Sequence, residues 1–283
     1  MSKEGYTTRN ALRPEVDLIV SWANREGWNP GIHDAEAFYG TDPNGFFLGV
    51  LDGKPVASIS AVAYDSAFGF LGFYIVEPSL RGQGLGTEVW NAGMKHLGER
   101  NIGLDSVLSQ QKLYERLGFR PYYSSVRHQG AGTGQKSKTP GIKSLSDVSI
   151  EDLLAYDDRF FPVPRHAFTN LWIRQPGAVA LASMDGGRLA GYGLLRLCHT
   201  GYKIGPLFAD DADVADSLFG ALCGHAPAGA PVFLDTPAVN PAALDLARRH
   251  SMNPVFETVR MYTRGDPHQP MDQIYGVTSF ELG

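Results

Sequence analysis

Residues 73–90 read FYIVEPSLRGQGLGTEVW. An apolar, aromatic run of strand type ends at Val76-Glu77-Pro78, glycines follow at 82, 84 and 86, and a helical pattern begins behind them. A helix entered this way has first-turn N–H groups without partners, and the positive end of its dipole adds to their pull on an anion. Glycine lets the backbone curl until successive N–H groups converge, so the stretch Gly82-Gln83-Gly84-Leu85-Gly86 can cradle a phosphate. Arg81 and the Thr87 hydroxyl can contact the same anion. The spacing is not that of a Walker loop, because no Gly-Lys-Ser/Thr ends it, and neither Thr87 nor Val89 is the third glycine of a dinucleotide-binding turn. Read by itself, the same stretch also suits a plain tight turn.

Other chemistries find little support. Cys198 and Cys223 are the only cysteines and lie far apart, which gives neither a disulfide framework nor a CxxC pair and favours a reducing compartment. The histidines show no HExxH or related spacing, so no metal is expected. A net charge of -5 argues against nucleic acid or an anionic membrane as partner. The start MSKEGYTTRN lacks the apolar core of a signal peptide, and no run approaches the length of a membrane span. A cytoplasmic protein of ordinary globular composition is expected.

The elements that must hold the glycine loop are legible around it. PEVDLIVSWANREG predicts a helix with Val16, Ile19, Val20 and Ala23 on one face, and a proline in its first turn. GFFLGVLDGKPVASISAVAY predicts two strands joined at Asp52-Gly53, and FGFLGFYIV a strand buried on both faces. Behind the loop, Trp90, Met94 and Leu97 recur at helical spacing. A strand at IGLDSVL, a helix at QQKLYERLGF with Leu113 and Leu117 on its buried side, and a strand at RPYYSSVRH follow.

Residues 129–141, QGAGTGQKSKTPG, lack aliphatic side chains and read as a linker. This divides the chain into domains at 1–128 and 142–283. The second part restarts the same order of helices and strands, an internal repeat. An offset of 133 pairs Asp52 with Asp185, Ala57 with Ala190, Arg116 with Arg249, Pro121 with Pro254, Val126 with Val259 and Arg127 with Arg260.

VEPSLRGQGLGT resembles the coenzyme A loop of the GNAT superfamily of N-acyltransferases, with Arg81, Gly84 and Gly86 at the positions of its Arg/Gln-x-x-Gly-x-Gly/Ala pattern. KLYERLGFRPY, beginning at Lys112, is similar to the later signature of that family, a helix with tyrosine followed by Gly-Phe and a strand. The likeness spans residues 6–128. KIGPLFADDADVAD, VFLDTPAVNPAAL and GVTSFELG extend it to a subfamily whose second half is a degenerate GNAT-like domain.

The resemblance implies an α/β fold of tandem GNAT-like domains, each a twisted mixed sheet flanked by helices. It implies acetyl-CoA, or another acyl-CoA, as co-substrate and no metal. The pyrophosphate is then expected on Arg81 to Thr87, and the pantetheine along the backbone of Phe73, Tyr74, Ile75 and Val76. An N–H of Ile75 or Val76 is expected to polarise the thioester carbonyl. Tyr114 is expected to protonate the departing thiolate, although it also suits a packing role beside Leu117.

The acceptor is expected to be an amine of a small molecule or a protein lysine. Its pocket is expected in REGWNPGIHDAEAF, with Trp28, Asn29 and His33 as lining and Asp34, or a water path, as base. The opposing reading makes Trp28 core and Asp34 a helix cap. FGFLGFYIV carries no acid, and Glu77 beside its proline suits a structural role. With no cysteine in the first half, direct transfer in a ternary complex is expected. In the second half PLFADDADVAD replaces the glycine loop, where Asp210, Asp211 and Asp213 would repel a pyrophosphate, and Ala247 stands at the equivalent of Tyr114. One active site per chain and a monomer or homodimer are therefore expected. A non-catalytic acyl-CoA sensor is the alternative.

Overall fold

The computed structural model describes residues 4–136 and 139–283; Ser137 and Lys138, inside the expected linker, lie outside the described residues. The first half runs β1 (Tyr6–Asn10), α1 (Arg13–Arg25), α2 (Asp34–Thr41), β2 (Phe46–Leu51), β3 (Lys54–Ala63), β4 (Phe68–Val76), α3 (Leu85–Leu97), β5 (Asn101–Val107), α4 (Gln111–Arg116) and β6 (Arg120–Ala131). The second runs β7 (Ile142–Ser144), α5 (Ile150–Asp157), α6 (His166–Trp172), β8 (Val179–Asp185), β9 (Arg188–Leu197), β10 (Tyr202–Ala209), α7 (Ala212–His225), β11 (Pro231–Pro237), α8 (Pro241–Arg249), β12 (Asn253–Tyr262) and β13 (Ile274–Gly276). Among the described residues no helix is long and apolar enough to cross a membrane.

Local sequence explains the main elements. α1 has Pro14 in its first turn, and Glu15 Oε2 reaches back to accept from the Leu12 N–H at 2.8 Å, the side-chain half of a capping box whose N-cap leucine offers only its backbone carbonyl in return. Its Val16, Ile19, Val20 and Ala23 are buried, as the spacing predicts. Asp52 and Gly53 take φ of 48° and 79°, the left-handed pair that a two-residue hairpin needs. The matching hairpin in the second half turns on Gly186 and Gly187 (φ 54° and 89°). Asp185 there pairs with Arg188 as Leu51 pairs with Lys54. Asp52 thus corresponds to Gly186 and not to Asp185, a correction of one residue, and Ala57 then matches Gly191.

All strands join one mixed sheet in the order β1-β2-β3-β4-β5-β12-β6-β11-β10-β9-β8-β7, with β13 against β10. The halves exchange strands. β12, from the second half, lies antiparallel between β5 and β6, and β6 in turn lies between β12 and β11. Two buried ion pairs fasten the exchange: Arg127 grips Asp235 at 2.7 and 2.8 Å, and Arg260 grips Asp105 at 2.9 and 2.7 Å. The arginines stand 133 residues apart, so the offset read from sequence is that of the exchanged strands.

The cores are shared in the same way. Val259 and Met261 of β12 pack in one cluster with Val89, Trp90 and Leu97 of α3, and Phe168 and Trp172 of α6 pack with Phe38 of α2. The expected linker needs correction at its start. Residues 129–131 belong to β6 and pair with Pro231, Val232 and Phe233, while Gly132, Thr133 and Gly134 donate backbone bonds to Ala230, Cys223 and Ala226. Small residues are needed there for close approach, since a Cβ on Gly132 would lie 2.5 Å from the Pro227 carbonyl.

Candidate active site

β4 and β5 run parallel and pair only from Phe68–Asn101 to Leu71–Leu104. Both continue beyond that point, so a wedge opens between them. A bulge in β4 marks the parting: its register with β3 shifts between Ser58 and Ser60, and Phe73 adopts a left-handed φ of 47°. That conformation is unfavourable for a bulky side chain. It is held by burial and by the Phe73 carbonyl, which accepts from Ser58 Oγ at 2.8 Å.

Past the bulge, the Glu77 N–H donates to the Val56 carbonyl at 2.9 Å. Strand alternation then directs the Ile75 N–H toward β3 and turns the N–H and C=O of Val76 to the open edge. The Val76 carbonyl accepts there from Arg81 Nε at 2.9 Å. Of the two expected oxyanion donors, Val76 therefore faces the wedge and Ile75 does not.

A short turn at Pro78–Leu80 leads into the glycine loop. Gly82 and Gly84 take φ of 75° and 81°, and Gly84 is the N-cap of α3 with no side chain to satisfy the first N–H groups. Open space surrounds both glycines. Gly86 serves packing instead. A Cβ there would lie 2.5 Å from Tyr74 Oη, so glycine lets α3 close onto β4. Gln83 and Thr87 are exposed, whereas Leu85 is buried and its carbonyl accepts from Tyr6 Oη at 2.7 Å. Arg81 also ion-pairs with Glu26, which draws its guanidinium across the mouth of the wedge. The loop, Ile75, Val76, Ser109 and Tyr114 line a groove of about 1230 Å³ open to solvent. An open backbone edge ending in an uncapped helix start suits a long ligand with a phosphate end, which is the shape of an acyl-CoA.

Deeper in the wedge a second cavity of about 670 Å³, counted to its mouth, is lined by Trp28, Phe73, Tyr74, Trp90, Tyr114, Phe256, Thr258, Phe280 and Glu281 among others. Tyr114 lines both spaces. Its ring sits 5.8 Å from that of Trp90 and 6.1 Å from that of Phe119. A phenol is protonated at neutral pH in any case, and burial, with the Tyr74 phenol adding to it, pushes Tyr114 well above the ordinary range, so it stays protonated into more alkaline solution. Leu117, expected on the buried side of this helix, is 42% exposed; α4 ends at Arg116 and Phe119 fills the core position instead.

The expected acceptor residues do not converge. Trp28 lines both spaces. Asn29 instead exchanges two hydrogen bonds with the Thr200 backbone, at 2.9 and 2.8 Å, and His33 is exposed at the start of α2. Asp34 lines neither space. It is fully buried, accepting from the Gly31 N–H at 2.8 Å and from Arg196 Nε at 3.0 Å. A carboxylate so engaged, away from the wedge, is a structural anchor between the halves. His33, not Asp34, occupies the cap position.

The second half has the same parting of strands, between β10 and β11 after Ile204–Leu234, but its wedge is filled. β13 pairs with Leu207 and Phe208 of β10, and the Val277 N–H donates to the Asp235 carbonyl of β11 at 2.9 Å. Where the first half has its glycine loop, Asp211 caps α7 by accepting from the Val214 N–H, and Asp210 pairs with Arg159 and Arg188. The chain's own backbone thus takes the edge that stays open in the first half.

Sequence reasoning did not find Phe256, Thr258, Phe280 and Glu281, which arrive at the first-half cavity from β12 and from residues 277–283. The only signal was a lone acid in TSFELG, a stretch otherwise small or apolar.

A family model described as "Acetyltransferase (GNAT) family" matches residues 14–119, and one described as "Acetyltransferase (GNAT) domain" matches residues 153–276. A protein named holothin acyltransferase from Pseudoalteromonas sp. (strain SANK 73390) is 29% identical over 278 residues, covering 98% of this chain and 95% of that protein. Among solved structures, a candidate acetyltransferase from Pyrococcus horikoshii superposes with a TM-score of 0.84 at 22% identity, over 100% of this chain and 98% of that one. A tandem GNAT protein from the clavulanic acid biosynthesis pathway gives a TM-score of 0.63 at 12% identity, over 91% and 98%.

Proposed function

The chain belongs to the GNAT acetyltransferase family in both of its halves, and we propose that it moves an acyl group from acyl-CoA directly to the amine of a small, largely apolar acceptor. Tyr114, standing where the open groove meets the aromatic cavity, carries this reading. A bound acyl-CoA would supply a thioester carbonyl already activated toward an amine. The N–H groups of residues 82–86 and Arg81 would hold its pyrophosphate, and the free edge of Phe73 to Val76 its pantetheine. The Val76 N–H would polarise the thioester oxygen. Tyr114, a protonated phenol at neutral pH, would donate its proton to the leaving sulfur.

Three features favour a small apolar acceptor over a protein lysine. The cavity is walled by Trp28, Phe73, Trp90, Phe256 and Phe280, it is recessed in the wedge, and of the two acids in its lining Asp105 is taken by Arg260, which leaves Glu281 as the acid with no partner among the described residues. Residues 1–128 would carry the whole cofactor site, and residues 142–283 would shape the acceptor side without a site of their own. The test is free-thiol release from acetyl-CoA and longer acyl-CoAs with a panel of amines that includes holothin, after which the relative above is named. Turnover confined to protein lysines would overturn the acceptor assignment. Tight acyl-CoA binding without turnover of any amine would leave the chain a sensor.

A further inference from the structure

We propose that Glu281, delivered from beyond β13 in the second half, is the general base that takes the proton of the attacking amine in the first-half site. This rests on the acyl-transfer reading above. Glu281 lines the aromatic cavity, is 2% exposed, and neither carboxylate oxygen has a hydrogen-bond partner among the described residues. A second polar atom of that lining, Thr258 Oγ1, is likewise buried and unpartnered. Native structures rarely leave such groups unsatisfied unless a ligand, an ordered water or a proton transfer uses them.

The backbone fixes Glu281 in place. A Cβ on Gly72 would lie 2.1 Å from the Glu281 carbonyl oxygen, so glycine at 72 lets this segment lie against β4 at the bulge, where the wedge begins. The Tyr64 hydroxyl donates to the Leu282 carbonyl at 2.8 Å, and Leu282 is fully buried. The carboxylate feels the charges of Lys203 of β10, Arg127 of β6, Arg196 of β9 and Asp34 of α2, and shares its cavity with Tyr114 and with Asp105, which Arg260 holds. Burial pushes the Glu281 carboxyl above its ordinary range; Lys203, Arg127 and Arg196 pull it down and Asp34 pushes it up. Such a carboxylate is a stronger base than an exposed one, which matches it to an amine. Lys203 Nζ is itself buried and without a hydrogen-bond partner among the described residues, so no direct ion pair with Glu281 is found there.

The step balances without a further reactant. The amine nitrogen bonds to the thioester carbonyl carbon as the carbon–sulfur bond breaks. The nitrogen's proton passes to Glu281, directly or through one water, and the sulfur receives the Tyr114 proton. Exchange with solvent then returns both residues to their starting states.

The decisive comparison is Glu281→Gln against the wild-type chain, using the amine that the wild type turns over fastest. Expected are a fall in kcat of about 10²-fold or more, an unchanged Kd for CoA, and loss of the acidic limb of the pH profile of kcat/KM. In the wild type that limb should lie above the ordinary carboxylate range, since the base works only when deprotonated. A second readout needs no cofactor. A carboxyl with a raised folded-state pKa makes stability decline as pH rises, so the glutamine variant should unfold at higher urea than the wild type at neutral pH. Its advantage should shrink on acidification. Full kcat in Glu281→Gln, a raised KM with unchanged kcat, or a wild-type profile with no such limb would each overturn the assignment. If the wild type turns over no amine at all, it is the acyl-transfer reading that fails.

Discussion

Gly84 and Gly86 differ in what they make possible, although both belong to one motif. Gly84 supplies a left-handed turn with free space around it, and Gly86 supplies contact between α3 and β4. Gly84→Asp is expected to weaken CoA binding at least about tenfold, roughly 1.4 kcal/mol, by placing a carboxylate in the anion cradle. Calorimetric titration with CoA at two salt concentrations would check it, and unchanged affinity would refute the loop as the pyrophosphate site. Tyr114→Phe should lower kcat by about 10²-fold or more while leaving the CoA Kd nearly intact, because the ring still packs on Trp90. An unaltered kcat would remove Tyr114 as the acid. These residues stand out in the sequence because the roles proposed for them rest on neighbouring positions: a loop, a helix and a strand in fixed order. Glu281 and Asp34 do not. One lies 167 residues beyond Tyr114 in sequence, and the other's fate depends on Arg196, so only tertiary placement separates a base from an anchor.

Strands and helices show the same division between local and distant causes. The hairpin at Asp52-Gly53 and the buried face of α1 follow from short patterns and are found as read. The exchange of β6 and β12 does not follow from any local pattern, since each strand reads as the natural end of its own half. Its signature was instead the offset of 133, whose chemically meaningful members are Arg127 and Arg260. Arg127→Met should leave the Asp235 carboxylate buried without its partner and cost about 3–5 kcal/mol, read as a lowered urea midpoint. Replacing both Arg127 and Asp235 with apolar residues should recover much of that loss, and failure to recover would show that the pair does more than satisfy itself. The linker was misread at its start for a related reason. Glycine at 132 is required by close approach to the Pro227 carbonyl and glycine at 130 lies tight against the Met252 side chain, and composition alone does not distinguish that from looseness.

At the scale of the whole molecule, two halves that share strands and cores should unfold together. Residues 1–128 made alone lack β12 between β5 and β6, and they are expected to be aggregated or unfolded by circular dichroism and size-exclusion chromatography. A soluble, cooperatively melting fragment would contradict this. The full chain should give one urea transition seen equally by tryptophan fluorescence and far-ultraviolet dichroism. Burial alone would push Asp157 and Asp235 up, but Arg165 and Arg127 hold them below the ordinary carboxylate range. The stability they contribute is fully present above about pH 4 and is lost as pH falls through their lowered values. The strand exchange also separates inheritance of the two substrates. The residues proposed to hold the cofactor lie before residue 115, whereas Phe256, Thr258, Phe280 and Glu281, on the acceptor side, lie after residue 255. Substitutions at Phe256 or Phe280, which leave Glu281 and the β12 residues Val259, Arg260 and Met261 in place, are therefore expected to retune which amine is accepted without disturbing the acyl donor. In effect the chain encodes a fixed socket and an interchangeable tool.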